Sequence, residues 1–137
     1  MPWLCVGDFN EITYDAEKLG GALRPIRQMA TFRQVLSNCN LHEVPVSGPK
    51  FTWFKGRGPN VIMERLDRGV ANEAWLSRFP TVFEVHLVTP LSNHVPLLFH
   101  VSDQQEEQGP IKKISDLKIC GLDMLNARRS LPKGGVR

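Results

Sequence analysis

The sequence predicts a mixed α/β domain in which most strands are short. Short apolar or alternating runs recur along residues 1–101, and runs of this length are typical of strands. Helical signals are confined to two places. Apolar side chains repeat at helical spacing over residues 29–36, and residues 72–78 fit a short helix with Asn72 as its N-terminal cap.

The first half of the domain is expected to contain one buried strand and one helix. The apolar run 3–6 stops at a Gly-Asp pair and predicts the strand. The polar residues 13–27, which include two adjacent glycines, indicate a loop. The helix that follows carries one apolar face and ends at residues 38–40; the face consists of Met29, Phe32, Val35 and Leu36.

The second half is expected to be mostly strands. A brief strand over 41–46 is followed by two extended stretches, 51–54 and 61–70, which the loop 56–60 would join into a hairpin. Further strands are predicted at 82–88 and 97–101, on either side of a loop. Trp53 and Trp75 are expected to pack in the core or on a sheet rather than to stack on bases.

A domain boundary is expected near residue 102, where the strand pattern ends. The 137-residue chain has a net charge of +3, but the charge is uneven. Residues 1–111 hold ten Lys or Arg against twelve Asp or Glu, whereas residues 112–137 hold seven against two. We therefore expect a domain at 1–101 and a linker with a basic tail at 102–137. Such a tail is either disordered and solvated or binds nucleic acid weakly.

Composition excludes several classes of protein. Hydrophobic residues make up 42% and charged residues 23%, which is ordinary for a soluble globular domain. No apolar run reaches the roughly 20 residues of a membrane-spanning helix, and no signal peptide is visible, so we expect a nuclear or cytoplasmic protein. Three widely spaced cysteines argue against a disulfide framework or a zinc site, and Cys5 and Cys39 are expected in the core.

Polar side chains with catalytic potential lie where the predicted strands end, as catalytic groups often do. They are Asp8, Asn10, Asp67, Asn93 and His94. Phosphodiester hydrolysis needs a carboxylate that activates water, donors that stabilise phosphoryl charge, and commonly a Mg²⁺ ion on oxygen ligands. An Asp that fixes the orientation of a His is another recurring device.

Each of these residues also has a structural interpretation. Gly-Asp-x-Asn often forms a plain turn, because Asp and Asn side chains bond to nearby backbone groups. Asp67 lies beside Arg65 and Arg68 and could belong to an ordinary surface ion pair. His94 precedes a proline by two residues and could be an ordinary loop histidine.

The order of the motifs resembles the endonuclease/exonuclease/phosphatase superfamily, and more narrowly the endonuclease domain of plant LINE-type (non-LTR) retrotransposons. The matching segments are WLCVGDFNE at 3–11, EKLGG at 17–21, MATFR at 29–33, FTW at 51–53, ERLDR at 64–68 and SNHVPLL at 92–98. The resemblance implies one half of a four-layer α/β/β/α sandwich of the DNase I-like type, a Mg²⁺ cofactor and DNA as the substrate.

The resemblance also implies a role for each candidate residue. Asp8 matches the aspartate that activates the attacking water, and Asn10 matches the asparagine that helps to hold the scissile phosphate. Asp67 matches the carboxylate that orients the catalytic histidine. His94 matches that histidine, which stabilises the charged phosphorane.

Two departures from the family pattern predict a weakened enzyme. Asn93 stands where the family has an aspartate that contributes to the metal site, and an amide lacks that negative charge. The family's N-terminal half, with its metal-binding glutamate, is not in this sequence, so we expect exposed sheet edges and a tendency to aggregate. The alternative function is a non-catalytic retrotransposon remnant with at most weak nucleic-acid binding through the tail.

Overall fold

Short strands and two helices form the part of the chain that the computed structural model describes, residues 1–102 and 119–120. The strands are β1 (Leu4–Asp8), β2 (Lys18–Leu19), β3 (Leu41–Glu43), β4 (Val46–Ser47), β5 (Trp53–Lys55), β6 (Ile62–Glu64), β7 (Asp67–Asn72), β8 (Phe83–His86), β9 (Leu97–His100) and β10 (Ile119–Cys120). The helices are α1 (Ile26–Asn38) and α2 (Glu73–Arg78), with 3₁₀ turns at Asp15–Glu17 and Gly58–Asn60. The chain therefore has the mixed α+β class that the sequence predicts.

Three sheets are built from these strands. The largest has the order β10-β1-β7-β3, and β7 runs antiparallel to both β1 and β3. The other two have the orders β2-β6-β5 and β4-β8-β9. Because β7 has neighbours on both edges and four consecutive buried residues, it is the central strand of the domain.

One apolar core lies between α2 and the largest sheet. Asn72 caps α2 as predicted, since its side-chain oxygen accepts a hydrogen bond from the Trp75 backbone N–H at 3.0 Å. Trp75 is buried and packs against Phe79 in a tilted arrangement with ring centroids 4.6 Å apart. Leu4 from β1 and Ala71 from β7 complete this core, which confirms the structural interpretation of Trp75.

A second core holds α1 against the loop after β1. Met29 and Leu66 are buried in it with the fully buried Ile12, and Trp53 packs against the group. The predicted helical face is confirmed in part, because Val35 is half exposed while the next residue of that face is buried. At about 100° per residue, Val35 lies about 120° from Met29 around the helix axis and Leu36 only about 20° from it, so Val35 is at the margin of the face.

The long strand predicted over 61–70 is wrong. The chain leaves β6 at Glu64 and enters β7 at Asp67, and the two strands belong to different sheets. The intervening Leu66 N–H donates to the Thr52 hydroxyl at 2.9 Å instead of to a strand partner. The predicted hairpin of β5 and β6 is confirmed, with its connection at residues 56–61.

Two smaller expectations also need correction. The loop predicted over 13–27 contains a 3₁₀ turn and the strand β2, which pairs with β6. Cys39 is exposed at the end of α1, and Cys5 is half-buried, so neither is a fully buried core residue. Neither helix among the described residues is long and apolar enough to cross a bilayer.

The linker and basic tail predicted at 102–137 lie almost wholly outside the described residues. Of this range the structure describes residue 102 and the backbone of β10, which pairs in parallel with β1. The expectation that the tail is disordered therefore stays a prediction.

Candidate functional site

Two aspartates face each other where β1 ends and β7 begins. The antiparallel register places Asp8 directly opposite Asp67. Side chains in such a pair project from the same face of the sheet, and like charges at directly opposed positions destabilise it. Folding alone gives no reason for this placement, so it marks the strand ends as a candidate site.

Asp67 holds His94 in a defined orientation. Nδ1 of the imidazole lies 3.0 Å from Oδ2 and 3.3 Å from Oδ1 of the carboxylate. With Asp67 ionised, the carboxylate can only accept, so Nδ1 carries the hydrogen and Nε2 remains available to a ligand. The His94 side chain is 37% exposed and that of Asp67 is 14% exposed, so the pair opens to solvent on the histidine side.

Two backbone hydrogen bonds, which together form one antiparallel bridge, fix the loop that presents His94. Trp53 and His94 form an isolated antiparallel bridge. The Phe54 N–H donates to the Asn93 carbonyl at 2.9 Å, and the Val95 N–H donates to the Thr52 carbonyl at 2.7 Å. The loop therefore contacts β5 through a single bridge at the edge of the sheet, and this bridge positions the histidine.

Thr52 is a site residue that the sequence motif contained but that the candidate set omitted. Its side chain is fully buried, and its hydroxyl accepts the backbone N–H groups of Leu66 and Asp67, each at 2.9 Å. The Thr52 carbonyl accepts a hydrogen bond from the backbone N–H of Val95, one residue after His94. One threonine thus connects the segments that carry Asp67 and His94. The only signal in the sequence is a polar residue between two aromatic ones in FTW.

The Gly-Asp-Phe-Asn segment forms a turn, as the structural interpretation predicts, and the turn borders the paired aspartates. The Asn10 N–H donates to Asp8 Oδ1 at 2.8 Å, and Asn10 adopts a left-handed conformation with φ of 56°. Asparagine tolerates this conformation better than most residues. Asp8 and Asn10 are both exposed, so both can reach a ligand in solvent.

The ion-pair interpretation of Asp67 with its neighbouring arginines is wrong. Arg68 is fully buried and bonds Glu17 at 2.8 Å and Glu43 at 2.5 Å. Arg65 contacts the same two glutamates at 3.0 and 2.8 Å. Both arginines therefore pair with Glu17 and Glu43, and the Asp67 carboxylate pairs with His94 instead.

Comparison with known proteins adds no relative. No family model, curated protein or solved structure matches the chain. Function is therefore inferred from the geometry of the site and the chemistry of its residues.

A metal ion could be held by three of the candidate residues. One ligand atom from each of Asp8, Asp67 and His94 lies within 4.8 Å of the other two. Mg²⁺ prefers carboxylate oxygens and keeps several waters, so the two aspartates suit it better than the imidazole does. Asn93 is exposed beside His94, and its backbone carbonyl is already bonded to β5.

Proposed function

We propose that the chain carries part of a metal-dependent phosphodiester-hydrolase site of the endonuclease/exonuclease/phosphatase type, with DNA as its substrate. Asp8 orients the attacking water and takes its proton. In its doubly protonated form, His94 donates a hydrogen bond from Nε2 to the phosphoryl oxygen on which charge develops, while Asp67 accepts from Nδ1 and holds the ring. The Asn10 side-chain amide contacts the same phosphate.

One observation carries this proposal: Asp67, which bonds His94, lies directly opposite Asp8 in the paired strands. A water activator and a phosphoryl stabiliser must lie on two sides of one phosphorus atom, and this register brings both to one strand end. The Asn10 turn then places an amide at the border of the same group.

Mg²⁺ is the proposed cofactor, and the carboxylates of Asp8 and Asp67 would hold it directly or through its water ligands. When bound, the ion would stabilise negative charge on the phosphoryl oxygens and lower the pKa of a coordinated water. The residues fit such an ion in kind, because carboxylates are hard oxygen ligands. They fit it incompletely, because the group offers only two carboxylates, and no third carboxylate among the described residues joins it.

A polymeric substrate is favoured because the site lies open at a sheet end. Asp8 and Asn10 are exposed, and the His94 side chain is partly exposed. We propose in addition that the sheets belong to a DNase I-like sandwich. Support comes from the contact between two sheets at the Gly69 N–H, which donates to Glu84 on β8 at 2.6 Å.

A non-catalytic remnant is the second candidate, and Asn93 favours it. An amide offers one neutral oxygen where a carboxylate would offer a charged one, so a metal site next to His94 would bind its ion more weakly. In this case any nucleic-acid binding would depend on the basic residues 112–137.

A plasmid-nicking assay with and without Mg²⁺ separates the two candidates. We expect slow Mg²⁺-dependent nicking by the native sequence, faster nicking by Asn93→Asp, which restores the carboxylate, and loss of nicking in Asp8→Ala. Asp8→Ala, purified identically, also controls for contaminating nucleases. Nicking that survives in Asp8→Ala, or its absence in both the native chain and Asn93→Asp, would contradict the enzymatic proposal.

The remnant candidate makes its own prediction for DNA binding. Replacing the seven Lys and Arg residues of 112–137 by Gln, which retains β10 beside β1, should abolish binding to duplex DNA if the tail is responsible, and native binding should weaken steeply with salt. Binding that persists in this variant and falls in Asp8→Ala or His94→Ala variants would instead locate DNA at the candidate site.

A further inference from the structure

Arg24 lies in the loop before α1 and reaches the Asn10 turn. Its Nη1 donates to the Asn10 carbonyl at 3.3 Å and lies 3.8 Å from Oε1 of Glu11. It is thus a cation in contact with the backbone of a candidate phosphate-binding residue. The catalytic proposal gives this arginine no role.

Glu64 holds Arg24 in place by a paired contact. Arg24 Nε and Nη2 donate to the two oxygens of the carboxylate at 3.1 and 3.0 Å. Such a two-point arrangement fixes the plane of the guanidinium group, which a single ammonium contact cannot do. Glu64 is buried in β6, so the clamp is anchored in a sheet.

Lys18 contributes a second cation to the same carboxylate. Its Nζ lies 2.5 Å from Glu64 Oε1, and the two residues are paired across β2 and β6. Burial raises the pKa of Glu64, but the hydrogen bonds and charges of Arg24 and Lys18 outweigh burial and hold the pKa below its usual value. Glu64 therefore stays ionised at neutral pH and can accept both hydrogen bonds from Arg24.

Both backbone groups of Asn10 are consequently bonded. Its N–H donates a hydrogen bond to the Asp8 carboxylate, and its carbonyl accepts one from the Arg24 guanidinium group. A left-handed residue outside glycine carries a conformational cost on the order of 1 kcal/mol and persists where its surroundings fix it. Because the backbone determines where Cβ points, these two bonds set the direction of the Asn10 side chain.

We infer that Arg24 is a positioning residue that holds the Asn10 turn in the orientation needed to contact the scissile phosphate. The inference rests on the proposed function for its catalytic meaning, but the restraint on the turn is independent of activity. Arg24 acts through Asn10 and need not touch the substrate.

The competing explanation is that Arg24 only neutralises Glu64. Lys18 makes this distinction testable, because it neutralises the same carboxylate without a contact to Asn10. Lys18→Gln and Arg24→Gln each remove one cation from Glu64, and only the second removes the bond to the turn. Arg24→Lys keeps the charge and loses the paired geometry.

The test combines amide hydrogen exchange at Asn10 with Mg²⁺-dependent nicking, in the native sequence and in the Asn93→Asp variant. We expect Asn10 to exchange at least about tenfold faster in Arg24→Gln and Arg24→Lys, and at the native rate in Lys18→Gln. The kcat for nicking should fall up to about 100-fold in the Arg24 variants with KM little changed, because the misplaced amide is needed in the transition state.

Equal effects of Lys18→Gln and Arg24→Gln on exchange, or native exchange in both Arg24 variants, would overturn the inference. Native kcat in an Arg24 variant with accelerated exchange would also overturn it. If no variant nicks DNA, the proposed function fails, and the exchange rates still decide whether Arg24 restrains the turn. Thermal unfolding of all variants verifies that each one is folded.

Discussion

Among single residues, Thr52 connects β6, the segment before β7 and the loop that carries His94. Its hydroxyl accepts two backbone N–H groups from the break between β6 and β7, and its backbone bonds both Glu64 and Val95. A buried donor that loses its acceptor carries a desolvation penalty, whereas loss of a methyl group leaves only a small cavity. The hydroxyl should therefore matter more than the methyl group.

Replacing Thr52 by Val, which has nearly the same shape, should lower the free energy of unfolding by about 2–4 kcal/mol, because the Leu66 and Asp67 N–H groups lose their acceptor. Thr52→Ser keeps the acceptor and should cost about 1 kcal/mol. Urea unfolding monitored by tryptophan fluorescence measures both. Equal destabilisation by the two substitutions would show that the two hydrogen bonds contribute little.

Arg24 and Thr52 show why individual site residues are difficult to select from a sequence. Asp8, Asn10, Asp67, Asn93 and His94 were predicted because they stand at the ends of predicted strands and because their order resembles a known pattern. Neither Arg24, in a polar loop, nor Thr52, in an aromatic run, has such a position. Their roles depend on contacts with residues at 10, 64, 66 and 67, which only the folded chain brings together.

At the level of elements, the contact of β7 with the β8–β9 hairpin is close at Gly69. A Cβ atom added there would lie 2.4 Å from the Phe99 ring and 3.0 Å from Glu84 Oε2. Glu84 is itself fixed, because it bonds the Gly69 N–H and contacts His86 at 2.5 Å. Only glycine leaves room for the hairpin to pack on the central strand.

Gly69→Ala should therefore destabilise the domain by about 1–3 kcal/mol through overpacking. Gly7 on the neighbouring strand β1 provides the control, since an added Cβ there meets no atom within 4 Å. Gly7→Ala should leave stability unchanged or raise it by at most about 1 kcal/mol. Paired thermal unfolding curves test this, and equal losses in both variants would contradict the packing explanation.

The elements that the sequence predicted well are those determined by local signals. The helix α2 has its Asn72 cap, and α1 has its apolar repeat, so both were located within a few residues. The boundary between β6 and β7 was missed because residues 61–70 contain no proline, and no glycine before residue 69, that would mark a break. The break depends on Thr52, which is distant along the chain and bonds the Leu66 N–H. It also depends on the pairing of β6 and β7 with strands of two different sheets.

The candidate site combines local and non-local information in the same way. The Asn10 turn is local, because Asp8 bonds a residue two positions away. The approach of Asp8 to Asp67 depends on the register of β1 against β7, which no property of either segment predicts by itself. The motif order indicated that these residues belong together, and the sheet shows the geometry by which they meet.

For the whole molecule, buried charge connects elements that are distant along the chain. Arg68 on β7 bonds Glu17 in a 3₁₀ turn and Glu43 on β3, and Arg65 reaches the same two carboxylates. Removing one partner of a buried ion pair leaves an uncompensated charge and costs about 3–5 kcal/mol. Glu17 is the more deeply buried of the two acids, so its ionisation should have the larger influence on folding.

This cluster gives the stability of the domain a defined dependence on pH. Burial raises the pKa of Glu17, but hydrogen bonds and charge from Arg68, with hydrogen bonds from Thr13, lower it overall. A carboxyl whose pKa is lower in the folded than in the unfolded state stabilises the fold above the unfolded value, about 4.3, and this stabilisation is lost as the pH falls through the folded pKa. Stability should therefore decline from about pH 5 downward.

Glu17→Gln tests this origin of acid sensitivity, because glutamine resembles the protonated acid. The variant should be less stable than the native chain at pH 7, and the difference should narrow steadily as the pH falls from 5 to 3. Urea unfolding midpoints across this range measure the difference, with the exposed Glu73→Gln as a control whose curve should follow the native one. If Glu17→Gln unfolds at neutral pH, Glu64→Gln serves in its place, since the pKa of Glu64 is lowered in the same direction. Curves that stay parallel to the native curve down to pH 3 would assign the acid sensitivity to other groups.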